Sequence, residues 1–191
     1  FIKKYLKGDI LEVGAGCGSF TRNYLSEKFA SVTLTEKDKE NFFKLSEKYK
    51  RNEKVKVINN LIYDIDFQYD AILYLHVLEH IKDDKKEIEE AIRKLKKNGY
   101  LIIIVPAHQK IYSNLDKEVG HFRRYESDFF KQEMKLLKMV NFKYLDSAGY
   151  LLYKLNSLVF SNEKSPTKLK IFIWDKFFTP ISLIFDFILM Y

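Results

Sequence analysis

The stretch ILEVGAGCGSF at residues 10–20 restricts the fold more than any other part of the chain. Ile10 to Val13 form a short apolar run, read as a buried strand, with one acid, Glu12, near its end. Gly14, Gly16 and Gly18 follow at alternate positions. Glycine at that spacing lets the backbone turn sharply and approach a ligand with no Cβ in the way. Ser19 to Lys28 then suit a helix whose first N–H groups have no partner within it. Strand, glycine turn and helix start together make a nucleotide-binding corner. The dinucleotide form G-x-G-x-x-G needs a third glycine at position 19, which is Ser19, and this counts against a nicotinamide-dependent oxidoreductase. The plain alternative is a tight strand–helix turn that holds nothing.

The pattern E-x-G-x-G-x-G after an apolar strand resembles the first motif of class I S-adenosylmethionine (SAM) dependent methyltransferases. The following segments extend the likeness. SVTLTEKD at 31–38 is an apolar run closing on Glu36, placed where nucleotide-binding α/β folds set a carboxylate against ribose hydroxyls. Asp38 competes as the cap of the next helix, 39–50, whose buried side is expected to carry Phe42, Phe43 and Leu45. VKVIN at 55–59 is a third strand. The family has an acid just after it, near the adenine amino group; here Asn60 stands there, with Asp64 a little further on. YDAILYLHVLEHI at 69–81 resembles the fourth motif, with a strand over Asp70–Leu75 and a helix running on to the Asn98-Gly99 stop. YLIIIVP at 100–106 is a fifth strand, apolar throughout as a strand covered on both faces should be.

Strand and helix alternate, so the expected class is α/β: a Rossmann-like, doubly wound, mostly parallel sheet with a C-terminal helical cap. The resemblance implies SAM as cofactor, with S-adenosylhomocysteine as product, lying across the carboxyl ends of the first, second and fourth strands. Gly14 and Gly16 would border its methionine part, and Glu12 its amino acid end. Glu36 would hold the ribose and Asn60 would lie near adenine, while Leu75 and His76 close the pocket. Ala15, Lys37 and Leu61 complete the cofactor-binding set.

His76, Glu79 and His80 also spell H-x-x-E-H, the inverted zinc-protease signature. That reading requires a helix from His76 onward and a third ligand in a later helix. With His76 at a strand end, no metal is expected, and His80 is read as satisfied within the fold.

After Pro106 the chain becomes polar: AHQKIYSNLDKEVGHFRRYESDFF. In open α/β sheets, ligands bind outside the carboxyl ends of the strands, where this loop emerges. GHFRRY resembles a run in a subset of bacterial and archaeal methyltransferases common in glycan, lipid and small-metabolite pathways. His121 and His108 are the candidate general bases, and Tyr112, Arg123, Arg124 and Tyr125 the candidate substrate ligands. Equally, this is a structural loop in which Arg123 or Arg124 ties to Asp116 or Glu118. Ser127 and Asp128 suit the start of a helix to about Met139.

NFKYLDSA at 141–148 reads as a sixth strand, and 150–191 as apolar helices broken at SNEKSPTK. Phe177 to Phe185 is the longest charge-free run there, nine residues including Pro180, too short to span a bilayer. Those helices either cap the active-site mouth or offer an interfacial surface to a lipid-like substrate or membrane. The expected organisation is a cofactor-binding domain over 1–149 with a helical elaboration over 150–191. A start at Phe1 suggests preceding residues, and a seventh strand is expected beyond Tyr191.

A single cysteine, Cys17, excludes an internal disulfide framework and fits a reducing, cytoplasmic setting, with membrane association open. The net charge of +7 comes from scattered lysines such as Lys94, Lys96 and Lys97, read as solvated helix faces, so nucleic acid is not expected as a partner. Peripheral membrane contact suits the same charge. The function implied is methyl transfer to a small-molecule, glycan or lipid-like acceptor, at oxygen. The rival class is a non-catalytic SAM-fold scaffold or membrane-surface module. Oligomeric state is left open.

Overall fold

The structure, a computed structural model, describes residues 2–25 and 29–145. The helices expected over 150–191 and the end of the sixth strand lie outside those residues. Contacts divide the chain into two units, Phe1–Pro106 with Phe122–Tyr125, and Ala107–His121 with Glu126–Tyr191.

The first unit is built on five parallel strands: β1 Asp9–Val13, β2 Ser31–Thr35, β3 Val55–Ile58, β4 Tyr69–Leu75 and β5 Leu95–Ile104. Their order across the sheet is β3-β2-β1-β4-β5. Chain order reverses between β1 and β4, and open α/β sheets bind ligands at that reversal. Helices α1 Thr21–Tyr24, α2 Lys39–Tyr49 and α3 Asp84–Arg93 accompany the strands. Ile10, Leu11, Val32, Leu34, Ala71, Ile72 and Leu73 are fully buried, as strands covered on both faces require.

Helix α2 starts on Asp38, whose side chain accepts the Asn41 N–H at 2.9 Å. Its buried face carries Leu45 and Tyr49, whereas Phe43 is 65% exposed, contrary to expectation. Two residues turn a helix through about 200°, so Phe43 cannot share the face of Leu45, while Phe42, three back, can. Burial of Leu45 contributes roughly 2 kcal/mol to holding α2 on the sheet.

The segment before Gly99 also departs from expectation. Helix α3 ends at Arg93 and β5 begins at Leu95, with an irregular register: Tyr69 pairs with Leu95 but Ala71 with Tyr100. The extra residues include Asn98 at φ +63°, the left-handed backbone that a bulge favours. Lys96 thereby reaches Asp9 Oδ2 at 2.6 Å and Asp70 Oδ2 at 2.9 Å rather than lying on a solvated helix. The Lys96 ammonium and the Ser31 hydroxyl lower the Asp9 carboxyl; the Asp9 N–H, then Lys96, lower that of Asp70.

In the second unit, α4 spans Asn114–Glu118 and α5 Ser127–Glu133, shorter than expected. Residues 141–145, read from sequence as strand, form none. Within that stretch the Tyr144 ring stacks on His108, centroids 4.9 Å apart.

Candidate functional site

The glycine turn is stitched to the end of β2. The Ala15 N–H donates to the Thr35 carbonyl at 2.8 Å, and the Gly16 N–H to Glu36 Oε2 at 2.7 Å. Glu36 Oε1 accepts the Asp38 N–H at 2.8 Å, so both oxygens of this buried carboxylate are held by backbone. The glycines differ in what they permit. A Cβ on Gly14, at φ +65°, would stand 2.9 Å from Val77 Cγ2, so this glycine lets the turn pack on the chain leaving β4. Gly16, at φ +57°, has no atom of the described residues within 4 Å of that position, so among them its face is open for a ligand.

Glu12 is 2% exposed, and its Oε2 receives the hydroxyls of Thr21 and Tyr24, both at 2.5 Å. The carboxylate thus fastens the end of β1 to α1. Burial raises its pKa, with the Thr21 and Tyr24 hydrogen bonds opposing; burial and the Glu12 charge push the Tyr24 hydroxyl up.

At the end of β3, Asn60 and Leu61 are exposed, and Asp64 Oδ2 takes the Leu61 N–H at 3.3 Å. Asn59, absent from the sequence-based set, donates through Nδ2 to the carbonyls of Glu36 at 2.6 Å and Lys37 at 3.1 Å. It orders the turn that carries Glu36 and the exposed Lys37. The signal for it was the Asn59-Asn60 pair itself, since adjacent residues leaving a strand point to opposite sides.

Leu75 is buried at the end of β4. His76 follows at φ +58°, a backbone conformation uncommon outside glycine, fixed by its N–H bond to the Ile104 carbonyl at 2.9 Å. The His76 ring is 49% exposed and stacks on Phe20, centroids 5.8 Å apart. Beside it, Phe20, Tyr24, Leu75, Ile104 and Ile2 line a cleft of about 140 Å³ at the carboxyl ends of β4 and β5. Phe20 was also missed from sequence; its mark was an aromatic directly after the glycine turn.

Beyond β4, Leu78–His80 form one 3₁₀ turn. Glu79 is 0% exposed, and its backbone carbonyl accepts the Phe122 N–H at 2.8 Å. Asp84 is buried at the start of α3. Its Oδ1 lies 2.7 Å from Arg123 Nη1 and its Oδ2 2.8 Å from the Tyr125 hydroxyl, while Arg123 Nη2 donates to the Lys82 carbonyl at 2.7 Å. The acid partner of Arg123 is therefore Asp84, not Asp116 or Glu118. Burial, then Asp84, raises the Tyr125 hydroxyl pKa. Arg124 is half-buried.

Within the second unit, His121 Nδ1 lies 2.9 Å from Asp116 Oδ1. Asp116 is buried, and its Oδ2 takes the Ser113 N–H at 2.9 Å and hydroxyl at 3.0 Å, a capping box on α4. The Tyr112 hydroxyl donates to the His121 carbonyl at 2.6 Å. His108, at φ +65°, has Nδ1 3.7 Å from Oε2 of the exposed Glu126.

A family model described as a methyltransferase domain matches residues 3–145. An uncharacterised protein of Methanocaldococcus jannaschii, MJ1123, is 30% identical over 168 residues, which are 86% of this chain and 70% of that protein. Among solved structures, YcgJ of Bacillus subtilis aligns at a TM-score of 0.62 and 19% identity, over 71% of this chain and 64% of its own. The N-methyltransferase NodS of Bradyrhizobium japonicum aligns at 0.59 and 16% identity, over 73% of this chain and 78% of its own. NodS has also been solved in complex with S-adenosyl-L-homocysteine. At these identities the two structures speak for the shared fold.

Proposed function

Because the chain belongs to the methyltransferase-domain family, it is a SAM-dependent methyltransferase, and we propose that it methylates an oxygen of a small-molecule, glycan or lipid-like acceptor. The cofactor residues proposed are Glu12, Gly14, Ala15, Gly16, Glu36, Lys37, Asn60, Leu61, Leu75 and His76. Two features of the first unit fit such a ligand. The face of Gly16 is open, and the backbone-held Glu36 oxygens retain lone pairs for the hydroxyls of a ribose. Glu12 receives Thr21 and Tyr24 on one oxygen, Oε2, and so also fixes α1 at the site.

Bound SAM supplies an activated methyl group, which leaves the protein to align the acceptor and exclude water. An oxygen acceptor must also lose a proton. The observation carrying the oxygen reading is His121 on the buried Asp116, whose carboxylate lies 2.9 Å from Nδ1 and orients the imidazole. His108 makes a longer contact to an exposed acid and ranks second. Tyr112 and Arg124 are assigned to the acceptor, whereas Arg123 and Tyr125 position the loop through Asp84.

The test pairs titration with turnover. Glu36→Ala is expected to weaken S-adenosylhomocysteine binding at least tenfold, measured by calorimetry. On a panel of hydroxylated acceptors, His121→Ala is expected to lose about 100-fold in kcat while binding S-adenosylhomocysteine normally. Full turnover by His121→Ala on an oxygen acceptor would remove the base from the mechanism.

A further inference from the structure

Among the described residues the first unit buries five acids, and four of them are matched. Glu12 receives two hydroxyls and Glu36 two backbone N–H groups. Asp84 meets Arg123 and Tyr125, and Glu87 receives the Tyr74 hydroxyl at 3.0 Å. Glu79 is the exception: it is fully buried, and among the described residues neither carboxylate oxygen has a hydrogen-bond partner. An ionised carboxylate removed from water without donors is strongly unfavourable, and such a group calls for an explanation, a bound ion among them.

Two imidazoles stand beside it. His76 Nδ1 is 3.4 Å from Glu79 Oε1, and the ligand atoms of Glu79 and His80 lie within 4.8 Å of each other. We propose that Glu79, His76 and His80 bind a divalent transition-metal ion. Donors bonded at about 2.1 Å to a tetrahedral ion stand about 3.4 Å apart, so His76 and Glu79 already have ligand spacing. Residues held in sparsely populated backbone conformations cluster at ligand sites, and His76 is one.

This is not the protease arrangement that the H-x-x-E-H spelling suggests. There the segment is helical and the glutamate is a base; here His76 ends a strand turn, a 3₁₀ turn follows, and the glutamate is a ligand. Two nitrogens and one oxygen suit zinc, manganese or iron(II) better than magnesium or calcium. Three protein ligands leave a position for an oxygen donor, and the half-exposed His76 leaves the ion within reach of solvent.

Val77, between two of the ligands, is the residue on which Gly14 packs, so the ion lies beside the glycine turn. An acceptor hydroxyl bound to it would be acidified, which makes its proton easier for the proposed general base to take. Its oxygen would then form the O–CH₃ bond as the S–CH₃ bond breaks, with the electron pair retained by sulfur. That catalytic use rests on the oxygen-acceptor reading; the metal site itself does not.

The experiment is calorimetric titration of the chelator-treated full chain with Zn²⁺ and with Mn²⁺, and separately with S-adenosylhomocysteine. One saturable equivalent of at least one ion is expected, weakened tenfold or more in Glu79→Gln and in His80→Ala. S-adenosylhomocysteine binding should persist in both variants. If Glu79→Gln does not fold, His80→Ala and His76→Ala decide the matter. No saturable binding by the wild-type chain, or equal affinity in the variants, overturns the site. Loss of S-adenosylhomocysteine binding by the wild-type chain would instead count against the cofactor reading.

Discussion

The ends of β1 and β4 each bury a glutamate, and the two are treated oppositely. Glu12 is enclosed together with the groups that satisfy it, Thr21 and Tyr24, both donating to one oxygen. Among the described residues Glu79 is enclosed with no donor hydrogen bond and with two imidazoles nearby. Equal burial therefore says little about what a charged side chain is for. The partners distinguish an acid that locks a helix to a strand from one that awaits a cation.

The largest expected effects come from the same substitution at both places. Glu12→Leu strands two buried hydroxyls and should cost about 3 kcal/mol in urea unfolding, since each unsatisfied group costs about 1–3 kcal/mol. Glu79→Leu removes an acid without stranding a donor. In chelator-treated protein it should raise stability by about 1 kcal/mol, because an apolar side chain takes the place of a buried polar group left without a partner. Equal destabilisation by both substitutions would collapse the contrast into burial alone.

A smaller effect concerns pH. Burial lifts the Glu12 carboxyl above its ordinary 4.5, so the folded chain holds that proton more tightly than the unfolded one. The resulting contribution is complete below about pH 4.5 and is lost as pH rises through the elevated folded value. Glu12→Gln keeps an acceptor for Thr21 and Tyr24, and should remove this slope from stability measured across the acid range. A slope unchanged in the variant would assign it to another group.

Much of the sheet was legible because its signals are local. Apolar runs ending on acids mark β1 and β2, the glycines mark the turn, and the continuous apolar runs mark β4 and β5. Asp38 as a cap and Glu36 as the carboxylate facing the turn are likewise decided over a few residues. Phe43 was misplaced although helical angle alone would have put it outside. The length of β5 was misread because Lys94 to Asn98 have helix-forming composition, and the pull came from Asp9 and Asp70, far away in sequence. Asn59 was hidden behind Asn60 because one residue of strand phase separates them.

The amino-acid sequence by itself determined that this chain builds a parallel α/β sheet around a glycine turn. Periodicity, turn residues and strand-end acids are properties of neighbouring positions, and neighbours need no fold to be read. Only the tertiary structure decided which acids are matched and which is not. Arg123 and Tyr125 meet Asp84 some forty residues away, and Thr21 and Tyr24 meet Glu12 across a turn, while among the described residues Glu79 has no donor. Burial and pairing of charge depend on which distant surfaces close over a side chain, and chain spacing does not encode that closure.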